Sequence, residues 1–133
     1  MKIENIKFKA KRLDNGKWVE GYFYAECGNA YIIEDRQSES MLNRNEAHQV
    51  DPLTVCQFTG MKDTTGNDVW EGDLVRESYE LLDIDNLYEV IYVEEEGAFA
   101  FKNINKAVNY EPYINLADTA VVGNKFDKEV AYG

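Results

Sequence analysis

The chain contains few of the residue types on which most enzymes and metal proteins depend. Its 133 residues include one histidine, two cysteines and two prolines. Any Ser-His-Asp or Cys-His arrangement would have to use His48, and no nucleophile motif surrounds that residue. One histidine and two separated cysteines, Cys27 and Cys56, complete no typical structural zinc site without carboxylate ligands. The sequence therefore predicts no catalytic residue, no metal ligand and no cofactor-binding residue, in a protein that is not an enzyme.

Long hydrophobic runs and cysteine pairs are also missing. Nowhere does the chain contain an apolar stretch of the length that a membrane-spanning helix needs. Residues 1–7 offer no apolar segment of the kind found in a signal peptide. Neither cysteine belongs to a C-x-x-C pair, and unpaired cysteines are typical of a reducing compartment. We therefore expect a cytoplasmic protein without a membrane partner.

Basic residues are scarce as well. The chain has 14 Lys and Arg against 25 Asp and Glu, a net charge of −11 that repels nucleic-acid phosphates and disfavours direct nucleic-acid binding. Six basic residues nevertheless fall within the first seventeen positions: Lys2, Lys7, Lys9, Lys11, Arg12 and Lys17. Alternating lysines are typical of a solvated strand face or of an edge protected against aggregation. Trp18, Tyr22 and Tyr24 share one predicted strand face, which indicates a β core or a subunit interface.

Apolar and aromatic residues are abundant enough for a folded domain. They make up 44% and 13% of the chain, which favours one domain over residues 1–133. Residues 6–11 alternate apolar and basic side chains, and hairpin signals follow at Asn15-Gly16 and Gly28-Asn29. This pattern predicts a three-stranded antiparallel meander over residues 6–33. The polar stretch 34–49 predicts a loop or one short helix, and it leaves open a division into 1–50 and 51–133.

Turn residues organise the second half of the chain. Asp63 and Gly66 occupy the two ends of a four-residue turn, between predicted strands at 54–58 and 68–70. Further signals are a corner at 71–73, a hairpin across 94–97, one helical turn within 109–117, and a closing strand at 120–126 with a bulge or turn at Gly123-Asn124. The predicted fold is mostly β with short helices, with α+β left open. It combines the antiparallel N-terminal meander with a small β-barrel-like, SH3-like C-terminal part, both sharing one compact core.

Motifs that carry chemistry are incomplete. Residues 63–68 begin like a calcium-binding loop, but Asp68 stands where that loop requires glycine. Three glycines recur every six residues without the Gly-x-Gly or Gly-Lys-Ser/Thr pattern of a phosphate-binding loop: Gly60, Gly66 and Gly72. Carboxylates close together can support acid-base catalysis, so a hydrolase is a weak alternative that would use Asp68, Glu71 and Asp73.

Three segments together resemble the YopX family of bacteriophage and prophage proteins. They are residues 54–63 (TVCQFTGMKD) with Gly66 and residues 70–75 (WEGDLV), the closing residues 121–127 (VVGNKFD) and the opening residues 6–10 (IKFKA). Their order spans nearly the whole chain. The resemblance implies a phage-encoded, β-rich protein that acts inside the bacterial host and forms a homo-oligomer. It implies no activity, because the family is one of unknown function without established catalytic or ligand-binding residues.

The resemblance and the lack of a complete catalytic constellation lead to one functional hypothesis. We expect a non-enzymatic phage accessory protein that acts by protein–protein contact and self-association, with a host bacterial protein as a further candidate partner. The alternative is an acidic nucleic-acid mimic that inhibits a host protein. It would use as phosphate stand-ins Glu77, Glu80, Asp83, Asp85, Glu89 and Glu94 to Glu96.

Overall fold

The computed structural model of the chain is built almost entirely from antiparallel strands. It describes residues 2–34, 46–79, 84–106, 110–112, 114 and 116–127. Within these ranges the helical elements are three short 3₁₀ turns, at Ile3–Asn5, Pro52–Thr54 and Leu116–Asp118. The predicted mostly-β class is therefore confirmed. Across the same described ranges, no helix has the length and apolar character needed to cross a membrane.

Two compact units make up the chain, Met1–Phe58 and Thr59–Gly133. We call them the N-terminal unit and the C-terminal unit. Strand β5 (Cys56–Lys62) contains the boundary between them. The single domain over residues 1–133, with its division at 50/51 and its shared core, stays a prediction.

The N-terminal unit contains the predicted meander. Its strands are β1 (Phe8–Lys11), β2 (Trp18–Glu26), β3 (Asn29–Glu34), β4 (Ala47–Val50) and the start of β5. They lie side by side in the order β4-β3-β2-β1-β5, and every described pairing is antiparallel. The second turn consists of Cys27 and Gly28, one position earlier than predicted, because Glu26 pairs with Asn29 and the two residues between them adopt positive φ.

Two sequence-based expectations in this unit were wrong. Residues 47–50 form strand β4 instead of a loop or helix, because they pair with β3 between Ala30 and Ile33. The rest of that polar stretch, residues 35–45, lies outside the described residues. The strand expected from Thr54 begins at Cys56, because Pro52–Thr54 form a 3₁₀ turn capped by the Asp51 carboxylate, which accepts the Leu53 N–H at 3.0 Å.

The core of the N-terminal unit lies on one face of its sheet. Strand geometry sends alternate side chains to opposite faces, and the buried positions follow this period. The buried cluster consists of Ala10, Val19, Ala30, Ile32 and Val50. His48 pairs directly with Ile32 and therefore lies on this same face.

The C-terminal unit contains the end of β5, β6 (Asp68–Trp70), β7 (Asp73–Tyr79), β8 (Ile84–Val93), β9 (Ala98–Asn103) and β10 (Thr119–Asn124). Strand β6 is the neighbour of β5, across the predicted 63–66 turn. The other four form an antiparallel sheet in the order β10-β7-β8-β9. The hairpin across 94–97 is confirmed. The closing strand also contains a register shift, but it lies between Val121 and Gly123, before the predicted position at Gly123-Asn124, because Gly123 and Asn124 pair with Leu74 and Asp73.

This four-stranded sheet is open. Its outer strands, β9 and β10, occupy opposite edges of the described sheet, and four strands are too few to curl into a closed barrel. The C-terminal part is therefore β-rich as expected, without a closed barrel among its described strands. Its own core cluster consists of Val69, Val75, Tyr88, Val90 and Phe101. Within 109–117, where one helical turn is expected, residues 109, 113 and 115 lie outside the described residues. Glu111 forms an isolated antiparallel bridge with Phe101, and Leu116–Asp118 form a 3₁₀ turn.

Candidate functional site

At the corner formed by residues 71–73, the Asp73 carboxylate accepts hydrogen bonds that fix the course of the backbone. Asp73 is 1% exposed, and its Oδ2 accepts the Trp70 N–H at 2.7 Å. Its Oδ1 accepts from Asn124 Nδ2 at 2.9 Å. The same Nδ2 group donates to the Glu71 carbonyl at 3.3 Å. Both oxygens of Asp73 are thus engaged in structural hydrogen bonds, as expected of a carboxylate that fixes a sharp turn.

Of the other two carboxylates suggested for a hydrolase, Asp68 is engaged by a lysine. Asp68 forms an exposed ion pair with Lys62 Nζ at 2.9 Å on the β5–β6 hairpin. Among the described residues, one cluster brings the side-chain ligand atoms of at least three His, Cys, Asp or Glu residues within 4.8 Å of one another. Asp68, Glu71 and Asp73 do not belong to that cluster. The geometry therefore gives the hydrolase alternative no support.

Asp63 has the most heavily hydrogen-bonded carboxylate of the 63–68 turn. It accepts from the backbone N–H groups of Thr65, Asn67 and Val121 at 3.0, 2.8 and 2.9 Å. Burial raises the pKa of Asp63, but the hydrogen bonds outweigh burial and lower this pKa to about 2. Because the Asp63 carboxylate already accepts hydrogen bonds from several N–H groups, it stabilises the turn, which agrees with a structural role for this segment.

The acidic residues of the nucleic-acid-mimic alternative do not share one face. Glu77 pairs with Asn86 on the buried side of the sheet, where Asn86 Nδ2 donates to Glu77 Oε1 at 3.2 Å. Asp85 points to the opposite side and forms an ion pair with Arg76 Nη1 at 3.0 Å. Glu94 to Glu96 are exposed at the β8–β9 tip, and Glu80 and Asp83 lie outside the described residues.

A basic and aromatic surface covers the sheet face opposite the N-terminal core. Lys9 Nζ lies 4.6 Å from the Trp18 ring centroid, and Lys11 Nζ lies 5.4 Å from it. Tyr24 and Tyr31 stack with their centroids 4.8 Å apart. Strand register places on this side the residues of what we call the lysine–aromatic face: Lys7, Lys9, Lys11, Trp18, Tyr22, Tyr24 and Tyr31. Cation–π contacts hold the lysine stems against the sheet.

The remaining candidate is a cluster around the single histidine, which we call the His48 cluster: Glu34, Glu46 and His48. Strand β4 runs antiparallel to β3, and the Glu34 N–H donates to the Glu46 carbonyl at 2.9 Å, so the three side chains meet at one end of the pair. His48 Nε2 lies 3.1 Å from Glu34 Oε2 and 3.8 Å from Glu46 Oε2. The imidazole is 10% exposed, whereas the Glu46 side chain is 58% exposed. The cluster thus joins a mostly covered imidazole to two carboxylates that solvent can reach.

Arg12 and Asp14 flank this cluster. Arg12 donates from Nε and Nη2 to the two Asp14 oxygens at 2.9 and 2.6 Å. The hydrogen bonds that Arg12 donates to Asp14 raise the pKa of Arg12, burial lowers it, and the negative charges of Asp14, Glu34 and Glu46 raise it further. A cavity of ≈ 330 Å³ adjoins the histidine and is lined by Leu13, Asp14, Ala47, His48 and Gln49. Solvent therefore has access to the His48 side of the cluster.

Sequence reasoning did not find this cluster. The sequence pattern places Glu34, Glu46 and His48 in one polar stretch, 34–49, and suggests His48 only for a Ser-His-Asp or Cys-His arrangement or, with the cysteines, for a zinc site. The usable signal was local: Glu46 and His48 are two residues apart, the spacing that places two side chains on one face of a strand. Recognising β4 as a strand would have brought Glu34 opposite them.

Comparisons with known proteins identify a family. The family model described as YopX protein matches residues 5–129, nearly the whole chain. No curated protein matches the sequence. The match covers the strands of both units and includes the His48 cluster and the lysine–aromatic face.

Proposed function

The chain belongs to the YopX protein family, and on that premise we propose that it is a non-enzymatic accessory protein of a bacteriophage or prophage. It acts in the cytoplasm of the bacterial host by contact with other proteins, and its first partner is a second copy of itself. The family match supports a bacteriophage or prophage origin, and the charges of the two units support action by contact between proteins.

The observation that carries this proposal is an uneven distribution of charge. Residues 1–58 contain eight basic and nine acidic residues, a net charge of −1. Residues 59–133 contain six basic and sixteen acidic residues, a net charge of −10. The nearly neutral unit carries the lysine–aromatic face, and the acidic unit carries the exposed Glu94 to Glu96 tip. Such complementary surfaces favour contact between copies.

We therefore place the lysine–aromatic face of one copy against the acidic β8–β9 tip of another. Because the two surfaces differ, the contact is heterologous. The resulting assembly is a closed ring or an open filament, according to the rotation between neighbouring copies. Aromatic side chains supply apolar contact area, while the lysines and glutamates supply charge pairing. A protein partner fits better than nucleic acid, because the net charge of −11 repels phosphates at long range.

Size-exclusion chromatography with light scattering tests the proposal on the full chain. We expect an oligomer at tens of micromolar protein in low salt, and a smaller mass in about 0.5 M salt, where the Debye length falls below about 5 Å. Lys9→Glu with Lys11→Glu should dissociate the oligomer, as should Glu94→Lys with Glu95→Lys. Mixing the two double variants should restore a larger species. Lys17→Glu, in the exposed β1–β2 loop, is the matched control.

A monomeric wild-type chain under all these conditions would overturn self-association. An oligomer that survives both double variants would place the contact elsewhere on the surface. In the first case, a pull-down from host lysate compared between wild type and the lysine variant measures whether the same face binds a host protein.

A further inference from the structure

We infer that Glu34, Glu46 and His48 bind one divalent transition-metal ion of the zinc type on the N-terminal unit. This site is independent of the proposed self-association, because the three residues lie on the face of the sheet opposite the lysine–aromatic face. Imidazole nitrogen with carboxylate oxygen is a donor set that zinc and its neighbours accept.

The distances within the His48 cluster suit such an ion. Zinc bonds to histidine nitrogen and carboxylate oxygen are about 2.0–2.2 Å long, so tetrahedral ligand atoms lie roughly 3.4 Å apart. His48 Nε2 lies 3.1 Å from Glu34 Oε2 and 3.8 Å from Glu46 Oε2, one slightly shorter and one slightly longer than that spacing. All three ligand atoms lie within 4.8 Å of one another. The two distances from His48 need changes of a few tenths of an ångström, and the exposed Glu46 side chain can move to bring its oxygen to the same spacing from Glu34.

Rigid backbone holds two of the three ligands. Glu34 ends β3 and His48 lies within β4, and these strands pair from Ala30 with Val50 to Ile33 with Ala47. Ligands on paired strands keep their spacing without an ordering cost at the moment of binding. Glu46 immediately precedes β4 and has the most exposed side chain of the three, so it can close on the ion from the solvent side.

The local charge also favours a dication. The two carboxylates carry two negative charges that attract nearby cations, Arg12 included, and Arg12 also donates two hydrogen bonds to the Asp14 carboxylate. A divalent ion balances Glu34 and Glu46 together. His48 contributes the Nε2 lone pair, and any proton on that nitrogen leaves to solvent when the ion binds. Because the Glu46 side chain is 58% exposed, water can reach the ion from the solvent side as a fourth ligand.

The competing explanation is an ordinary ion pair between His48 and the two glutamates, without a metal. The two explanations differ in what Zn²⁺ does to the protein. An ion that binds the folded state alone raises the melting temperature as its concentration exceeds its dissociation constant. An ion pair without a site gives no such rise.

The test uses the full chain with Cys27→Ser, because Cys27 is an exposed thiol that binds Zn²⁺ by itself. Isothermal titration and native mass spectrometry with Zn²⁺ should show one ion per chain, together with a rise in melting temperature, and Mg²⁺ should produce neither. Glu46→Gln should weaken Zn²⁺ binding at least about tenfold while the protein stays folded, since this side chain is largely exposed. His48→Gln should weaken it by at least as much.

Glu20→Gln is the matched control, because Glu20 is an exposed glutamate on the other face of the sheet. It should leave Zn²⁺ binding unchanged. Two results would overturn the site: no Zn²⁺ binding by the Cys27→Ser protein, or binding that is equally strong in the Glu46→Gln and His48→Gln variants. Circular dichroism of each variant separates loss of a ligand from loss of the fold.

Discussion

The Oδ2 atom of Asp63 accepts a hydrogen bond from the backbone N–H of Val121 at 2.9 Å, across 58 positions of the sequence. The other oxygen of Asp63 accepts the Thr65 and Asn67 N–H groups, which close the turn between β5 and β6. Val121 borders the bulge in β10, where the ladder with β7 changes register. One carboxylate thus joins a local turn to an edge strand of the C-terminal sheet.

We predict that Asp63→Asn destabilises the protein by roughly 1–3 kcal/mol at pH 7, the usual range for hydrogen bonds to a charged group. The amide that replaces one oxygen turns its N–H donors toward the N–H groups that this oxygen accepted, either that of Val121 or those of Thr65 and Asn67. Urea denaturation followed by tryptophan fluorescence measures the change. Asp68→Asn, in an exposed pair on the same hairpin, should cost less than about 1 kcal/mol.

The pH dependence of this effect has a definite sign. The pKa of Asp63 is about 2 in the folded chain, below the ordinary value of 3.8. A lowered pKa means that ionised Asp63 stabilises the fold above the ordinary value, and that this contribution disappears as the pH falls from about 4 towards 2. The gap in unfolding free energy between wild type and Asp63→Asn should therefore be largest near neutral pH and shrink in that acidic window. A gap that stays constant from pH 7 to pH 2.5 would contradict the assignment.

Local sequence patterns were sufficient where a turn has its own chemistry. The patterns of Asp63 with Gly66, and of Gly97 after three charged residues, predict two hairpins of the C-terminal unit, because positive φ at glycine and, at Asp63, a carboxylate that accepts nearby N–H groups are local features. Strand β4 could not be found in this way. Its sequence, Ala47 to Val50, lacks the alternation of apolar side chains, and its extended form depends on pairing with β3.

The candidate site shows the same limit. The side chains of Glu34 and His48 meet across two strands, so no short motif contains them, and their proximity follows only once the register of β3 and β4 is known. The corner at 71–73 is the converse case. Its glycine was correctly interpreted as a bend, but the role of Asp73 depends on Asn124, which is 51 residues away. The proximity of Glu34 to His48 and the role of Asp73 both depend on contacts between distant parts of the chain. A single sequence does not show which distant parts meet.

The β2–β3 turn yields a prediction of increased stability. Cys27 has φ of 51° and Gly28 of 81°, so both central residues of the turn are left-handed, as a type I′ turn requires. Asparagine adopts this conformation with less strain than cysteine, so Cys27→Asn should raise the free energy of unfolding by up to about 1 kcal/mol. Cys27→Val should lower it, because a β-branched residue fits the left-handed region poorly. A Cys27→Asn protein less stable than wild type would contradict this account of the turn.

Two glycines of the C-terminal unit form a matched pair for the last prediction. Gly72 has φ of 84° and Gly66 of 88°, so an alanine at either position adopts a left-handed backbone at a cost of roughly 1–2 kcal/mol. Their surroundings differ. A Cβ atom added at Gly66 meets nothing within 4 Å, whereas one added at Gly72 lies 3.2 Å from Asn124 Nδ2.

Asn124 is 2% exposed and donates from that same Nδ2 group to Asp73 Oδ1, so it cannot move away without loosening the bond on a buried carboxylate. Gly66→Ala should therefore cost the backbone strain alone, and Gly72→Ala should cost a further 1–3 kcal/mol or so, the usual penalty for a disturbed buried hydrogen bond. Urea denaturation of the two variants measures the difference directly. In an Asn124→Ala background the extra cost of Gly72→Ala should disappear, because the side chain that the new Cβ meets is gone. If the two alanine variants are equally stable in the wild-type background, Asn124 is not the group that requires glycine at position 72.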